Sequence, residues 1–323
     1  MLAVEGWVSG MAGAGVKSRE RAEEFEELRP LLFSISYRIL GSVSEAEDAI
    51  QETWLRYETS TTRPDSLKSF LSTVITRISI DVLRSARVRR EEYVGDWLPE
   101  PLLNDPYEDP ARAAELADSV SVAALLLLER LSPLERAVFV LREVFGFGYP
   151  EVAEAVGRTE AACRQLSARA RKHMEEGRPR FDADRKEREE LAARFFAALR
   201  EGSVESLQEL LAADVQMVGD GGGKAPQLAR HIIGVDKVAR LIAGAFPPIF
   251  SIGTVVDAQE INGQPGALFR DRDGRVVVAI TLDVVDGHIA AIRSMINPDK
   301  LGHLGEVGDA WAMKEEWSRV RKA

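Results

Sequence analysis

The sequence predicts a multidomain protein: two all-α modules, the second a helix-turn-helix, followed by a smaller α+β domain. Three observations predict this. Apolar residues recur at helical spacing from Phe25 to about Met174, and the period changes to two after Val255. Four of the 14 prolines fall in one aperiodic stretch, Gly95–Pro110, inside the helical part. At the usual ~150 residues per domain, 323 residues make about two domains or three small ones.

Taken in order, residues 1–22 read as a disordered leader: Met1–Val16 is rich in Gly and Ala, lacks the basic start of a signal peptide, and offers Met11 as a competing start. A first module is expected over 23–92. Phe25, Leu28, Leu32, Ile35 and Ile39 define a helix ended by Gly41, and Ser44 with Glu47 reads as the capping box of a second helix to about Tyr57. After the polar turn Thr59–Pro64 a third helix runs from Ser66 to about Arg87. It buries Leu67, Phe70, Leu71, Val74, Ile78 and Val82 and puts Thr73, Arg77, Asp81 and Arg84 on the opposite face. An acidic, Pro-rich linker follows over 93–111, with Trp97, Leu98 and Leu102 as isolated apolar points.

The second module is expected over 112–178. Leu125–Leu128 marks a buried helix. Ser132, Pro133 and Glu135 supply cap, first-turn proline and capping-box acid for the next helix, which ends near Gly146. Tyr149–Val156, Gly157 and Thr159–Met174 then form a short helix, a glycine turn and a capped helix, the layout whose second helix enters a DNA major groove. Cys163, Leu166 and Ala170 form its inner stripe, with Glu160, Ala161, Arg164, Gln165, Ala168, Arg171 and Lys172 outward. A charged junction covers 179–187. The α+β domain spans 188–304, with helices at Leu191–Leu199, Val204–Leu211 and Val235–Phe246. An antiparallel meander follows: Val255–Ile261, Ala267–Arg270, Val276–Val284 and His288–Ile296, turned at Asn262-Gly263, Asp273-Gly274 and Asp286-Gly287. The tail, 305–323, is polar with a short helix at Ala310–Val320.

Composition narrows the function. A single cysteine excludes a disulfide framework or a cysteine zinc cluster, and four histidines without paired spacing argue against a histidine metal site, so no metal or cofactor is expected. No apolar run approaches the ~18 residues of a membrane helix, and a soluble cytoplasmic protein is expected. The net charge is −10, yet it is organised: Arg77–Arg90 and Arg158–His173 each carry net +4, and Glu91–Asp118 between them carries net −8. Two basic patches around an acidic connector suit nucleic-acid contact in spite of the total.

Specific motifs then appear. Glu45-Ala-Glu-Asp48-Ala-Ile-Gln51-Glu52-Thr-Trp54-Leu55 resembles the core-polymerase-binding helix of extracytoplasmic-function sigma factors. Ser69-Phe70-Leu71, Arg77, Asp81, Arg84, Arg87, Arg89 and Arg90 resemble their −10-recognition helix. Leu131–Phe139 with Tyr149–Met174 resembles their −35-binding domain. Trp97-Leu98-Pro99 in the linker, Asp220-Gly221-Gly222-Gly223-Lys224 and Asn297-Pro298-Asp299-Lys300-Leu301 resemble the subgroup fused to a C-terminal SnoaL-like domain. That resemblance implies a ketosteroid-isomerase-like cone, a curved sheet wrapped by helices around a pocket. Cys163 departs from the Val usual before Arg164-Gln165, a substitution a small buried thiol tolerates.

The resemblance implies core RNA polymerase and promoter DNA as partners, with an unidentified small ligand for the C-terminal pocket left open. Glu45, Asp48, Gln51, Glu52 and Trp54 would dock polymerase, the acids steering association and Trp54 also packing the core. Arg77, Asp81, Arg84, Arg87, Arg89 and Arg90 would serve the −10 element, with the turn Thr59–Ser66 catching an extruded base. Arg158, Thr159, Arg164, Gln165, Ala168, Arg169, Arg171 and Lys172 would serve the −35 element. Arg164 and Gln165 can pair with base edges, whereas Arg171 and Lys172 suit phosphate, and Arg169 the backbone. The linker and C-terminal motif residues would make regulatory contacts that cover Trp97 and Leu98. Two alternatives remain: a helix-turn-helix regulator acting without polymerase, and a small-molecule enzyme using Asp220, Asp283 or His231 with a DNA-binding passenger. No catalytic residue is assigned. A redox role for Cys163 is set against a packed, inert thiol, and the inner stripe favours the second.

Overall fold

The computed structural model describes residues 4–61, 64–177, 185–226 and 231–320, together with the backbone but not the side chains of 4–18, 87–89, 91, 113–115 and 177. The expected base-catching turn and the junction 179–187 therefore lie partly outside the described residues.

Three helices, α1 (Val4–Leu40), α2 (Val43–Thr59) and α3 (Leu67–Glu91), form the first module. Helix α1 includes most of the segment expected to be a disordered leader; Arg19 pairs with Glu23 one turn on, the spacing that supports a solvated helix. The cap of α2 is also corrected from Ser44 to Ser42. Gly41, at φ +69°, ends α1, Ser42 takes the extended conformation, and its hydroxyl accepts from Glu45 N at 3.1 Å. The Glu100 carboxylate accepts from Val43 N and Ser44 N at 2.8 and 3.0 Å, so an acid from the linker completes the cap.

The second module comprises α4 (Ala113–Val120), α5 (Val122–Glu129), α6 (Pro133–Phe139) with a π-helical turn Val140–Val144, α7 (Tyr149–Val156) and α8 (Glu160–Gly177). The capping box at Ser132 and Glu135 is present, and Gly157 closes α7 in the left-handed conformation at φ +64°. The two modules share one hydrophobic core, from Phe25, Ile35 and Leu83 to Leu128, Val152 and Cys163. Polar groups tie the seam. Arg38, fully buried, donates to Ser119 Oγ (2.8 Å) and Leu116 O (2.9 Å) and pairs with Asp105 at 2.7 Å. Arg136, equally buried, donates to Arg38 O at 2.9 Å and pairs with Glu129 at 2.6 Å.

The third domain has α9 (Arg185–Glu201), α10 (Val204–Leu210), α11 (Val235–Ala245) and α12 (Pro247–Ser251) over a six-stranded sheet. The strands are β1 (Leu211–Asp220), β2 (Ile232–Ile233), β3 (Val255–Ile261), β4 (Gln264–Arg270), β5 (Val276–Val285) and β6 (His288–Met295), in the order β2-β1-β6-β5-β4-β3. The expected antiparallel meander is present as β3 to β6, but β1 runs parallel to β6, so the curved sheet as a whole is mixed rather than antiparallel. Residues of β5 alternate between the two faces, and a register shift opposite Phe269 and Arg270 brings Val276 to the same side as Ala279. Ile280, Leu282 and Val284 pack inward with Phe195, Phe246 and Phe269, while Val276 and Ala279 join Leu98 and Val122 on the outer face. A final helix, α13 (Ala310–Val320), lies across the mouth of the cone.

Candidate nucleic-acid interface and linker clamp

Thr159 caps α8 by accepting from Ala162 N at 3.2 Å, which fixes where the recognition helix begins. Gln165, Ala168, Arg169, Arg171 and Lys172 are exposed along one face, and Arg158 and Thr159 stand exposed at its start. Arg164 is 56% exposed; its guanidinium lies 4.8 Å from the Tyr149 ring centroid and bonds Glu160 at 2.9 Å. The other cations pair loosely: Arg169 with Glu135 (3.9 Å), Arg171 with Glu143 (3.7 Å) and Lys172 with Glu176 (3.9 Å). Such exposed pairs are worth at most ~1 kcal/mol each, so a phosphate displaces them readily. Cys163 is fully buried and burial pushes its thiol pKa up, which leaves it unreactive. Ser167, which the periodicity had left unassigned, is also buried and donates to Glu143 at 2.7 Å.

The first basic patch is placed differently. Arg77 stays exposed but reaches across the seam and donates to Glu154 O (2.6 Å) and Ala155 O (3.2 Å) of α7. Arg90 reaches Leu40 O at 2.6 Å, pairs with Glu129, and stacks 3.8 Å from the Trp97 ring centroid. Burial raises the Glu129 carboxyl, but Arg136 and Arg90 together hold it below its ordinary value. Asp81 and Arg84 pair on the exposed face at 3.0 Å, and Arg87 and Arg89 continue α3. On α2, Asp48 and Gln51 are exposed, Glu45 and Glu52 are half-buried, and Glu52 pairs with Arg56 at 2.7 Å. Trp54 packs edge-on against Phe25 at 5.1 Å. Leu55, 54% exposed beside these acids, is an apolar point of the same surface that the helical period alone does not single out.

The linker and the third domain meet at Asp220, which is fully buried. Its carboxylate accepts from the Tyr93 hydroxyl (2.5 Å), Leu98 N (2.8 Å) and Lys300 Nζ (2.7 Å), and its backbone oxygen accepts from Ile296 N and Asn297 N. Lys300 also donates to Leu98 O at 2.6 Å and sits 4.5 Å from the Trp97 ring centroid. Burial lowers the Lys300 pKa, and Asp220 works against that shift. Burial raises the Tyr93 phenol, helped by its bond to Asp220. The turn Gly221–Lys224 must hug this site: at Gly222, φ +56°, a Cβ would strike the Asn297 amide and lie 2.7 Å from the Tyr93 hydroxyl. Gly223 faces Val94, Lys224 pairs with Asp299, and Pro298 opens the short helical turn Pro298–Lys300. Pro99 and Leu98 are covered.

A second junction lies outside the sequence motifs. Asn262 exchanges bonds with Leu102 (2.6 and 3.0 Å) and donates to the Tyr37 hydroxyl (2.6 Å) and Val120 O (3.0 Å). Tyr37 in turn donates to Glu100 O at 2.7 Å, and His303 to Pro101 O at 2.6 Å. Only the turn-forming Asn262-Gly263 pair was visible in the sequence.

The residues offered for catalysis do not converge. Asp220 is held by Lys300, Asp283 by Arg293, and His231 is exposed beside Gln216. Among the described residues, no group of three His, Cys, Asp or Glu side chains is placed to hold a metal, and no helix is long and apolar enough to cross a membrane.

A helix-turn-helix packed beside a three-helix module with an acidic face is an arrangement that suits a sigma-type transcription factor. The sigma-70 region 2 family profile matches residues 25–89 and the sigma-70 region 4 profile matches 121–174. The chain is 38% identical over 291 residues to the ECF RNA polymerase sigma factor SigJ of Mycobacterium tuberculosis, spanning 86% of this chain and 92% of SigJ. It is 30% identical over 280 residues to the probable ECF RNA polymerase sigma factor SigI of that species, spanning 85% and 93%. The crystal structure of SigJ superposes with a TM-score of 0.68 at 35% identity, covering 87% of this chain and 98% of SigJ. The chain therefore belongs to the extracytoplasmic-function sigma factors. It is an alternative sigma factor with an additional C-terminal domain, not an enzyme.

Proposed function

We propose that this sigma factor is held closed by its own C-terminal domain until core RNA polymerase separates the two helical modules. In this reading the acidic face of α2, with Leu55 at its centre, docks polymerase in the cytoplasm. Helix α8 reads the −35 element and α3 engages the −10 strand. Elements some 25 base pairs apart are separated by ~85 Å along B-DNA at 3.4 Å per pair. Modules that share a core, with Arg77 of α3 bonded to α7, cannot bridge that span.

The observation that carries the reading is the grip of Asp220 on Tyr93 and Leu98, both in the connector that must extend when the modules part. The third domain thereby favours the closed arrangement by its preference for the folded-back linker, and its effect is limited to that preference. Tyr93→Phe removes the hydroxyl shared by Asp220 and Asn297, worth about 1 kcal/mol. Run-off transcription with excess core polymerase should rise in this variant, and rise further when everything after Arg185 is deleted. Equal output from all three proteins, at matched concentration and stability, would remove the regulatory role.

A further inference from the structure

The interior of the cone is not filled. Met217, Phe246, Phe269 and Ile280 surround an apolar cavity of about 90 Å³, and α13 covers its mouth with Met313 and Trp317. The walls are almost wholly apolar and the space opens to solvent at one side, so an apolar guest displaces water that the walls cannot hydrogen-bond and gains contacts with them. With α13 in place only a handful of heavy atoms would fit; a longer molecule must move the helix.

That helix is lightly held. None of its residues is fully buried, in contrast to α9 and α11 of the same domain. Its root is firm, because Val276 N donates to Glu306 O and Gly308 N to Val276 O (2.8 and 2.9 Å). Beyond Asp309 it is fastened by Trp317 Nε1 to Ala245 O (2.9 Å), Trp311 Nε1 to Lys224 O (2.9 Å) and the exposed pair Arg272–Glu316. Few buried contacts over a firm root is the condition for local opening.

The Trp311 bond reaches the linker clamp. Lys224 ends the turn that begins at Asp220, its amide bonds Gly221 O at 2.9 Å, and Gly222 and Gly223 of that turn lie against Tyr93 and Val94. At the mouth, the Lys314 ammonium lies 5.0 Å from the Trp311 ring centroid with no carboxylate paired to it among the described residues.

We propose that the cone binds an apolar carboxylic acid, its acyl or aryl body in the cavity and its carboxylate at Lys314, and that seating it lifts α13 and loosens the Asp220 clamp. This rests on the reading of that clamp as the closing device. The ligand thus shifts the chain toward the open arrangement by the difference in its affinity for the two.

The test uses the full-length chain and two probes below their micellar concentrations, decanoate and decan-1-ol. Decanoate should bind saturably, one per chain, with a change in tryptophan fluorescence. At saturation, hydrogen exchange at the Leu98 amide should rise about fivefold, the effect of losing one hydrogen bond. Lys314→Ala should weaken decanoate about threefold and leave decanol unchanged. Ile280→Trp, which fills the cavity, should abolish both. Trp311→Ala, outside the cavity wall, guards against misfolding of that variant: it should keep decanoate binding and show the faster Leu98 exchange without ligand. The proposal is overturned by no saturable binding to the wild-type chain, by equal loss of both probes in Lys314→Ala, or by binding that leaves Leu98 exchange unchanged. These outcomes are separate from the transcription test of Tyr93→Phe, which can succeed or fail with no ligand present.

Discussion

The basic patches Arg77–Arg90 of α3 and Arg158–His173, which leads into α8, each carry net +4, yet the fold uses them differently. On α8 every cation of the outer face is exposed; Arg164 bonds Glu160 at 2.9 Å, and Arg169, Arg171 and Lys172 pair only loosely, Lys172 being 77% exposed. On α3 two cations bond across the seam: Arg77, itself still exposed, to the carbonyls of α7, and the half-buried Arg90 to Glu129, stacked on Trp97. Charge in a sequence therefore reports capacity, and packing decides availability. The outer face of α8 is left open, while part of the basic patch of α3 also fastens the two modules together.

The sharpest way to break this contrast is to remove one acid from each side. Glu129→Ala strands Arg90 and the fully buried Arg136 and should cost ~3–5 kcal/mol in urea unfolding. Glu160→Ala, which only releases the exposed Arg164, should cost under ~1 kcal/mol. Because the Glu129 carboxyl is held below its ordinary 4.5, its contribution is complete above that pH and is lost as the pH falls through the depressed value. Acid unfolding of the wild type should therefore have a component below pH 4.5 that Glu129→Ala lacks.

Next in size is the clamp. Asp220→Asn leaves Lys300 buried without a counter-charge and should destabilise the chain by ~3 kcal/mol, whereas Asp220→Asn with Lys300→Met should recover much of that loss. Thermal melts of the three proteins measure it. Arg164→Ala should cost ~1–3 kcal/mol of discrimination at one −35 base pair, and Lys172→Ala should weaken every site evenly and flatten the salt slope by about 1. Binding to a panel of mutated sites separates the two; uniform loss in both would refute the base contact. The smallest effect belongs to α2. Reversing the charges of Asp48 and Glu52 should slow association with core polymerase and reduce its salt dependence, leaving −35 binding unchanged.

Most local structure was legible because it is decided locally. The Ser132–Glu135 capping box, the left-handed Gly157 and the Asn262-Gly263 turn follow from residues within a few positions of each other. The errors occur where a distant residue decides. Ser42 rather than Ser44 caps α2 because Glu100, more than fifty positions away, supplies the neighbouring acceptor. The parallel pairing of β1 with β6 joins strands separated by α11, α12 and four other strands, which no period reveals. The clamp was visible only as family motifs, since Leu98 and Asp220 are 122 positions apart and nothing in either neighbourhood requires the other. Asn262 reads as a turn residue, and its amide becomes a three-way bridge only after packing delivers Tyr37, Leu102 and Val120. Arg77 sits on a face the period assigns to solvent and is exposed there, and only packing brings the α7 carbonyls it bonds within reach.

The central claim is that core polymerase opens a chain its own third domain keeps shut, and the distance between the modules measures it directly. Cys163 is buried with a raised thiol pKa, so cysteines placed at two exposed sites, Glu58→Cys on α2 and Glu175→Cys on α8, accept donor and acceptor dyes selectively. Energy transfer should be high in the free protein and fall on addition of core polymerase, with Tyr93→Phe lowering the polymerase concentration needed. Transfer that stays high in a stable complex with polymerase would contradict the account.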